Sequence, residues 1–236
     1  MSKSKALKNN ASGTGTDIER FLSRSRALKA RNPATDQRLI FALDATASRQ
    51  PTWDRACHLQ AQMFDATQAI AGLSLQLCYY RGIVEFRAFA WSTGSNAISR
   101  AMSSVQCRGG YTQIERVLQH ALREQQQQPV RAAVFVGDAM EERAAQLYDL
   151  AGQLGLRKLP LFMFQEGRDA TAAKTFAEIS RLSGGVHCQF DENSEDQLRE
   201  LLTAAASFAA GGVEALQRLE IQTPLARKLI ASLPRR

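Results

Sequence analysis

The chain has 236 residues, of which 44% are hydrophobic and 22% are charged, and its net charge is +7. The hydrophobic fraction allows a sizeable core and is typical of a globular domain. No run approaches the roughly eighteen apolar residues that span a bilayer, and no apolar run follows the basic N-terminus, so neither a membrane span nor a secretory signal is predicted.

The positive charge lies in the two ends of the chain. Residues 1–33 carry eight Lys/Arg and two Asp/Glu, and residues 213–236 carry five and two. These counts leave 17 basic and 19 acidic residues, a net charge of −2, for residues 34–212. Basic tails can attract nucleic acid or anionic lipid, and the alternative is that they are soluble, mobile ends.

The N-terminal region divides into a tail and a helix. Residues 1–15 are rich in Ser, Lys, Asn and Gly, which predicts a disordered basic tail. A helical extension is predicted over 16–33, because Thr16 and Glu19 have capping-box spacing. Asn32-Pro33 ends it.

Strand and helix patterns alternate through the centre of the chain, which is predicted to be one domain over 34–212. Short apolar runs predict strands at 38–43, 73–80, 83–91, 130–136, 159–164 and 186–190. Helical spacing predicts helices at about 52–71, 95–105, 112–126, 142–154, 170–183 and 195–209. Gly211-Gly212 ends the last of them, and a C-terminal helical extension is predicted over 213–236, with helix to about 232.

The order of these elements predicts a mostly parallel sheet with helices on both faces. The strands 73–80 and 83–91 are the exception, because the two residues Arg81-Gly82 are too few for a crossover connection. This pair is predicted to be an antiparallel hairpin at one edge of the sheet.

Oxygen-bearing side chains collect where ligands bind in such sheets, beyond the carboxyl ends of the strands. The first strand runs into Asp44-Ala45-Thr46-Ala47-Ser48, the strand at 130–136 runs into Gly137-Asp138, and Gly109-Gly110-Tyr111-Thr112 precedes a helix. Two carboxylates and three hydroxyls suit a hard cation such as Mg²⁺, which prefers six oxygen ligands and keeps some of its waters. The predicted ligands are Asp44, Thr46, Ser48, Thr112 and Asp138.

These three segments resemble the metal-ion-dependent adhesion site of von Willebrand factor A domains. That family usually has Asp-x-Ser-x-Ser, then a distant Thr, then an Asp; here Thr46 replaces the first Ser, and Ala139 replaces the Gly that often follows Asp138. The resemblance covers about residues 36–210 and implies a Rossmann-like three-layer α/β sandwich. Its six-stranded, mostly parallel sheet has the 83–91 strand as its one antiparallel member.

The resemblance also implies a function. We expect a non-enzymatic protein-interaction domain in which Mg²⁺, or Mn²⁺, accepts a carboxylate from Asp or Glu of a partner protein. Bacterial-type intracellular members of the family often serve multiprotein assemblies, sometimes with ATPase chaperones.

The spacing of the four cysteines matches no common zinc site: they are Cys57, Cys78, Cys107 and Cys188. They are expected to be reduced, mostly buried thiols of a cytoplasmic protein. No membrane partner is expected.

Other interpretations of the same residues stay open. Asp44 and Thr112 could each cap a helix, and Asp138 could be a turn residue. Glu141-Glu142 is expected in the exposed first turn of the next helix. His120 is expected on the surface, and Cys107 is expected to be an inert thiol despite its neighbour Arg108.

The alternative functions are a phosphoesterase that uses the same metal, and a nucleic-acid-associated protein that binds through its basic tails. A haloacid dehalogenase-type phosphatase would need a carboxylate where Thr46 stands.

Overall fold

The structure is a computed structural model that describes residues 37–50, 73–93, 100–190 and 195–220. The helices predicted at 16–33 and 52–71 lie outside the described residues, as do residues 95–99 of the helix predicted at 95–105, Cys57 and the chain beyond Glu220. The predicted domain boundaries therefore stay predictions.

The described chain alternates strands and helices as the sequence predicts. The strands are β1 Arg38–Asp44, β2 Ser74–Arg81, β3 Glu85–Ala88, β4 Ala132–Gly137, β5 Leu161–Glu166 and β6 Val186–Phe190. The helices are α1 Ile114–Gln127, α2 Ala144–Leu156, α3 Ala170–Ser183 and α4 Glu195–Glu220, and a short 3-10 turn covers Ala47–Arg49. None of the described helices is long and apolar enough to cross a membrane.

The six strands form one sheet in the order β3-β2-β1-β4-β5-β6. All neighbouring pairs are parallel except β2 and β3, which are antiparallel. This confirms the predicted six-stranded sheet with one antiparallel edge strand. The strand order reverses between β1 and β4, and the carboxyl ends of these two strands are where such folds bind ligands.

The sheet is covered on both faces because its buried strands carry apolar side chains in both directions. Ile40 and Ala42 of β1 belong to the core that α1, α2 and α3 complete. Phe41 and Leu43 point the other way, into the core that α4 completes. Fully burying one such side chain contributes about 1.5–3 kcal/mol before entropy is subtracted. The predicted three-layer sandwich is therefore confirmed.

The edge hairpin is antiparallel as predicted, but its second strand begins later. Residues 82–84 form the turn, Gly82 has a φ of +62°, and β3 starts at Glu85. Ile83 and Val84 therefore lie in the turn and not in the strand. Beyond β3, the Phe89 amide donates to the Leu77 carbonyl at 2.8 Å, and Leu75 forms an isolated bridge with Ser92.

Capping residues and glycines determine where α3 begins and ends and where α4 is interrupted. The Asp169 carboxylate accepts a hydrogen bond of 2.6 Å from the Ala172 amide, which caps α3. Gly184 ends α3 in the left-handed region, at a φ of +79°. Gly211 and Gly212 interrupt α4 with non-helical backbone angles, which confirms the predicted end of the last core helix; helix then resumes up to Glu220.

Candidate metal centre

Asp44 lies at the carboxyl end of β1 and is completely buried. Its Oδ1 accepts a hydrogen bond of 2.7 Å from the Thr46 amide, and its Oδ2 accepts one of 2.8 Å from the Tyr80 hydroxyl. Burial raises the pKa of Asp44 to about 6, the charge of Asp138 adds to this increase, and the hydrogen bonds from Thr46 and Tyr80 oppose it. A nearby cation would stabilise the charged form of this buried carboxyl group.

The hydroxyls of Thr46 and Ser48 lie beside that carboxylate. Their oxygens are 3.1 Å apart, Thr46 is buried and Ser48 is exposed. Beyond the end of β1, Thr46 forms an isolated parallel β-bridge with Arg108. The Arg108 amide donates a hydrogen bond of 3.0 Å to the Ala45 carbonyl. This bridge brings the loop before α1 to the end of β1.

Asp138 follows β4, the strand next to β1. Its Oδ1 is buried and, among the residues that the structure describes, has no hydrogen-bond partner. Gly137 allows the approach of the two strand ends, since a Cβ at this position would meet the Phe135 ring at 2.7 Å and the Asp44 Cβ at 3.4 Å. Asp138 thus presents an unsatisfied carboxylate oxygen beside Asp44.

Thr112 is joined to the segment that follows Asp138. Its hydroxyl accepts a hydrogen bond of 3.0 Å from the Glu141 amide, and its own amide donates to the Glu141 carboxylate at 3.1 Å. Thr112 is buried. The three predicted segments therefore meet at one edge of the sheet, between the ends of β1 and β4.

Glu142 has a different role from the exposed one that the sequence predicts. It lies before α2, which begins at Ala144, and its carboxylate accepts from the amides of Ile114 and Glu115 at 2.6 and 2.8 Å. Burial raises its pKa, and these bonds oppose the increase. Glu142 therefore caps the N-terminus of α1, where a negative charge is favourable, and the prediction of an exposed first turn is wrong for this residue.

A buried ion pair that was not predicted lies at the same edge. Arg49 and Glu166 are both buried and form a salt bridge. Burial lowers the pKa of Arg49, while the charges of Asp44 and Asp138 oppose that change. The only sequence signals were that Arg49 directly follows Ser48 and that Glu166 ends an apolar strand.

The donor set fits a hard cation such as Mg²⁺. Two carboxylates and three hydroxyls are oxygen ligands, and the Asp138 Oδ1 is a buried oxygen that a cation would satisfy. Within the described ranges, no three residues of the types His, Cys, Asp and Glu are grouped to hold a metal. A site here would therefore depend on the hydroxyls of Thr46, Ser48 and Thr112.

The prediction that His120 lies on the surface is wrong. His120 is buried and not on the surface: its Nε2 lies 2.8 Å from the Gln76 Oε1, and its ring packs on Phe86 at 5.4 Å between centroids. Burial lowers its pKa. Cys107 is a partly buried thiol, whereas Cys78 and Cys188 are buried thiols.

The sheet order, the single antiparallel edge strand and the helices on both faces define the von Willebrand factor A fold, a Rossmann-like α/β architecture. Solved structures are similar over most of this chain. A von Willebrand factor type A protein from Catenulispora acidiphila is 16% identical with a TM-score of 0.57, over 73% of this chain and 43% of that one. The SpRpn10 VWA domain is 13% identical with a TM-score of 0.51, over 72% of this chain and 93% of that one.

Proximal thread matrix protein 1 from the mussel byssus is also similar, at 13% identity and a TM-score of 0.58, over 72% of this chain and 46% of that one. The chain thus spans less than half the length of the Catenulispora and mussel proteins. No protein-family model and no curated protein matches the sequence. At these identities the similarity shows the fold.

Proposed function

We propose that this chain is a non-enzymatic protein-interaction domain that binds a partner through Mg²⁺, or Mn²⁺, at the edge between β1 and β4. The observation that carries the proposal is the unsatisfied, buried Oδ1 of Asp138 beside the buried Asp44 carboxylate. Buried carboxylate oxygens are expensive to leave without a partner, so the pair is best explained by a cation.

Each residue of the site has a definite part. Asp44, held by the Thr46 amide and the Tyr80 hydroxyl, supplies fixed negative charge. Thr46 and Ser48 supply neutral oxygens, and Asp138 and Thr112 complete the set, directly or through water. Because three of the five side chains are neutral, a bound Mg²⁺ would stay positively charged and would offer a coordination position to an Asp or Glu carboxylate of the partner protein.

The same residues favour binding over catalysis. A phosphatase with Asp44 as its nucleophile would need an acid/base carboxylate two residues later, and Thr46 cannot serve there. Thr46 instead donates its amide to Asp44 and lies beside Ser48. We therefore propose an interaction domain and not a phosphoesterase.

The proposal extends to the setting of the protein. Buried thiols at Cys78 and Cys188 suit the reducing conditions of a cytoplasm. The partner we propose is a component of an intracellular, bacterial-type assembly, such as one that includes an ATPase or chaperone. Affinity purification of the full chain in Mg²⁺ and in EDTA, with identification by mass spectrometry, tests this part.

Calorimetry tests the metal site directly. The full chain is expected to bind one Mg²⁺ or Mn²⁺ weakly, and Asp138→Asn is expected to abolish the heat of binding. Asp149→Asn, an exposed carboxylate on α2, is the matched control and should bind like the wild type. Equal binding by Asp138→Asn and the wild type would show that the site is wrong, and Mg²⁺-dependent hydrolysis of a phosphate ester would favour the phosphoesterase.

A further inference from the structure

Large apolar side chains are exposed beside the candidate metal centre. Ile83, Val84 and Tyr111 are 71%, 68% and 62% exposed, and they are three of the five large hydrophobic residues that are exposed in the described part of the chain. We call these three residues the apolar patch. Turns and loops normally carry polar residues, so an exposed Ile-Val pair beside an exposed Tyr needs an explanation.

The backbone holds the apolar patch in place. The Tyr111 amide donates to the Gly82 carbonyl at 3.2 Å, and a Cβ on Gly110 would lie 1.9 Å from that oxygen. The Arg116 guanidinium donates to the Val84 carbonyl at 2.7 Å. The hairpin turn and the loop before α1 are therefore fastened together, and docking on the patch requires little ordering of the backbone.

The surroundings of the apolar patch are positively charged. Glu85 forms salt bridges with Arg81, Arg87 and Arg108, at 2.9, 3.6 and 3.8 Å. Residues 81–88 and 108–112 together carry three Arg and one Glu, a net charge of +2, and including Glu115 and Arg116 leaves this sum unchanged. Glu141, whose carboxylate accepts from the Thr112 amide, lowers the sum to +1. Arg87, Arg108 and Arg116 are exposed. A partner of opposite charge is therefore favoured here.

We propose that the apolar patch is a docking surface for an acidic segment of a partner protein that has apolar residues next to its Asp or Glu. Tyr111 directly precedes Thr112, so the patch borders the metal centre. One carboxylate of the segment enters the metal centre, the apolar residues cover Ile83, Val84 and Tyr111, and other carboxylates pair with Arg87 and Arg108. This inference rests on the proposed function and specifies the partner's chemistry.

Charge disfavours the two basic ends of this chain as occupants of the apolar patch. Residues 1–33 have a net charge of +6, and residues 221–236 carry four Lys/Arg and no Asp/Glu. Either segment would bring like charge to the arginines. A second copy that docked patch against patch would place the same arginines against each other, which is also unfavourable.

Peptide selection on the full chain tests the proposal. A random peptide library is selected in Mg²⁺, and the recovered peptides are expected to be enriched in Asp or Glu adjacent to Leu, Ile, Val or Phe. Their affinity is expected to fall by at least about tenfold in the double variant Ile83→Ser/Val84→Ser, and also in Tyr111→Ser, because the lost contacts are apolar. Leu156→Ser, which replaces an apolar residue at the end of α2 that is even more exposed, at 86%, is the control and should bind like the wild type.

Calorimetry with Mg²⁺ separates this inference from the proposed function. The patch variants are expected to bind the metal like the wild type, because none of them removes a predicted ligand. Recovery of no acidic peptide, or equal binding by the patch variants and the wild type, overturns the docking surface. Acidic peptides that need the patch but bind equally well in EDTA and in Asp138→Asn would support the surface and contradict the metal-dependent function.

Discussion

Asp44 shows most directly how a single residue in this fold depends on its surroundings. It is an acidic side chain with no exposure to water, and its two oxygens are occupied by Thr46 and Tyr80. Burial nevertheless raises its pKa to about 6. Two hydrogen bonds therefore do not offset the loss of hydration, so without a bound cation this carboxylate lowers the stability of the fold at neutral pH.

Replacing Asp44 tests this conclusion. The increase in pKa from 3.8 to about 6 means that the folded protein holds its proton more tightly than the unfolded chain. Stability is therefore expected to fall as the pH rises from about 4 to about 6, by about 3 kcal/mol from this group. Without metal at pH 8, Asp44→Asn should be more stable than the wild type in urea unfolding, and it should no longer bind Mg²⁺.

The control for this experiment is Asp149→Asn, whose carboxylate is exposed. Its stability should change with pH as that of the wild type does. An Asp44→Asn variant with wild-type stability at both pH 4 and pH 8 would contradict the origin that we give for the raised pKa.

The buried Arg49–Glu166 ion pair allows a second prediction, which concerns the free energy of unfolding. Both groups are buried, so removing one leaves the other without its counter-charge. Arg49→Met is expected to lower the free energy of unfolding by about 3–5 kcal/mol. The double variant Arg49→Met/Glu166→Gln should lose less than the sum of the single variants in urea unfolding, whereas strict additivity would show that the pair is not coupled.

Loops and helix ends determine how the elements meet at the candidate metal centre. The bridge from Thr46 to Arg108, the contact of Gly110 with Gly82 and the Glu142 cap of α1 all join segments that are distant in the sequence. Each of these contacts is local in space and small in energy. Together they fix the positions of Thr112 and of the apolar patch.

Two adjacent glycines allow a matched test of the loop. A Cβ on Gly110 would lie 1.9 Å from the Gly82 carbonyl oxygen, whereas a Cβ on Gly109 would meet nothing within 4 Å. Gly110→Ala is expected to reduce stability by about 1–3 kcal/mol through this overlap, and Gly109→Ala to have little effect. Thermal unfolding compares the two variants, and equal stabilities would contradict the close approach of loop and hairpin.

The cap of α1 can be tested in the same way. Glu142→Ala removes the acceptor for the amides of Ile114 and Glu115 and is expected to destabilise the protein by about 1–2 kcal/mol. Gln146→Ala, an exposed position in the first turn of α2, is the control. If Glu142 were only an exposed residue of that turn, the two variants would have the same midpoint in urea unfolding.

At the scale of the whole molecule, charge separates the basic ends from the slightly acidic centre. We predict that each extension forms a helix whose apolar residues are covered and whose Lys and Arg are outside. Isolated helices of this length are marginal in water, and their apolar residues need a surface to cover. The alternative is that the extensions act as basic arms.

Hydrogen exchange of the full chain distinguishes these two arrangements. Slow exchange across 17–30 and 214–222 is expected if the two helices form with their apolar residues covered. Exchange within seconds in both segments, with a protected core, would contradict this prediction. Salt-dependent retention of nucleic acid by the full chain, but not by a 34–212 fragment, would then support the basic-arm alternative.

The order of the elements, and the residues that meet at the candidate metal centre, could be predicted from the amino-acid sequence. Apolar periodicity separates strands from helices, and the short connection at Arg81-Gly82 permits only a hairpin. Because β1 and β4 are parallel neighbours, the residues that follow them meet at one edge of the sheet. The alternation of strands and helices predicts this arrangement, and it therefore places Asp44 and Asp138 together.

The burial of individual polar residues and their contacts, in contrast, could not be predicted without the packed fold. His120 lies on a helix whose local pattern leaves it outside, yet Gln76 and Phe86 of the edge hairpin cover it. Glu142 caps a helix 28 residues earlier in the chain. Arg49 pairs with Glu166 across the sheet edge. Such contacts join residues that no sequence period connects, so they depend on how the packed layers bring distant segments together.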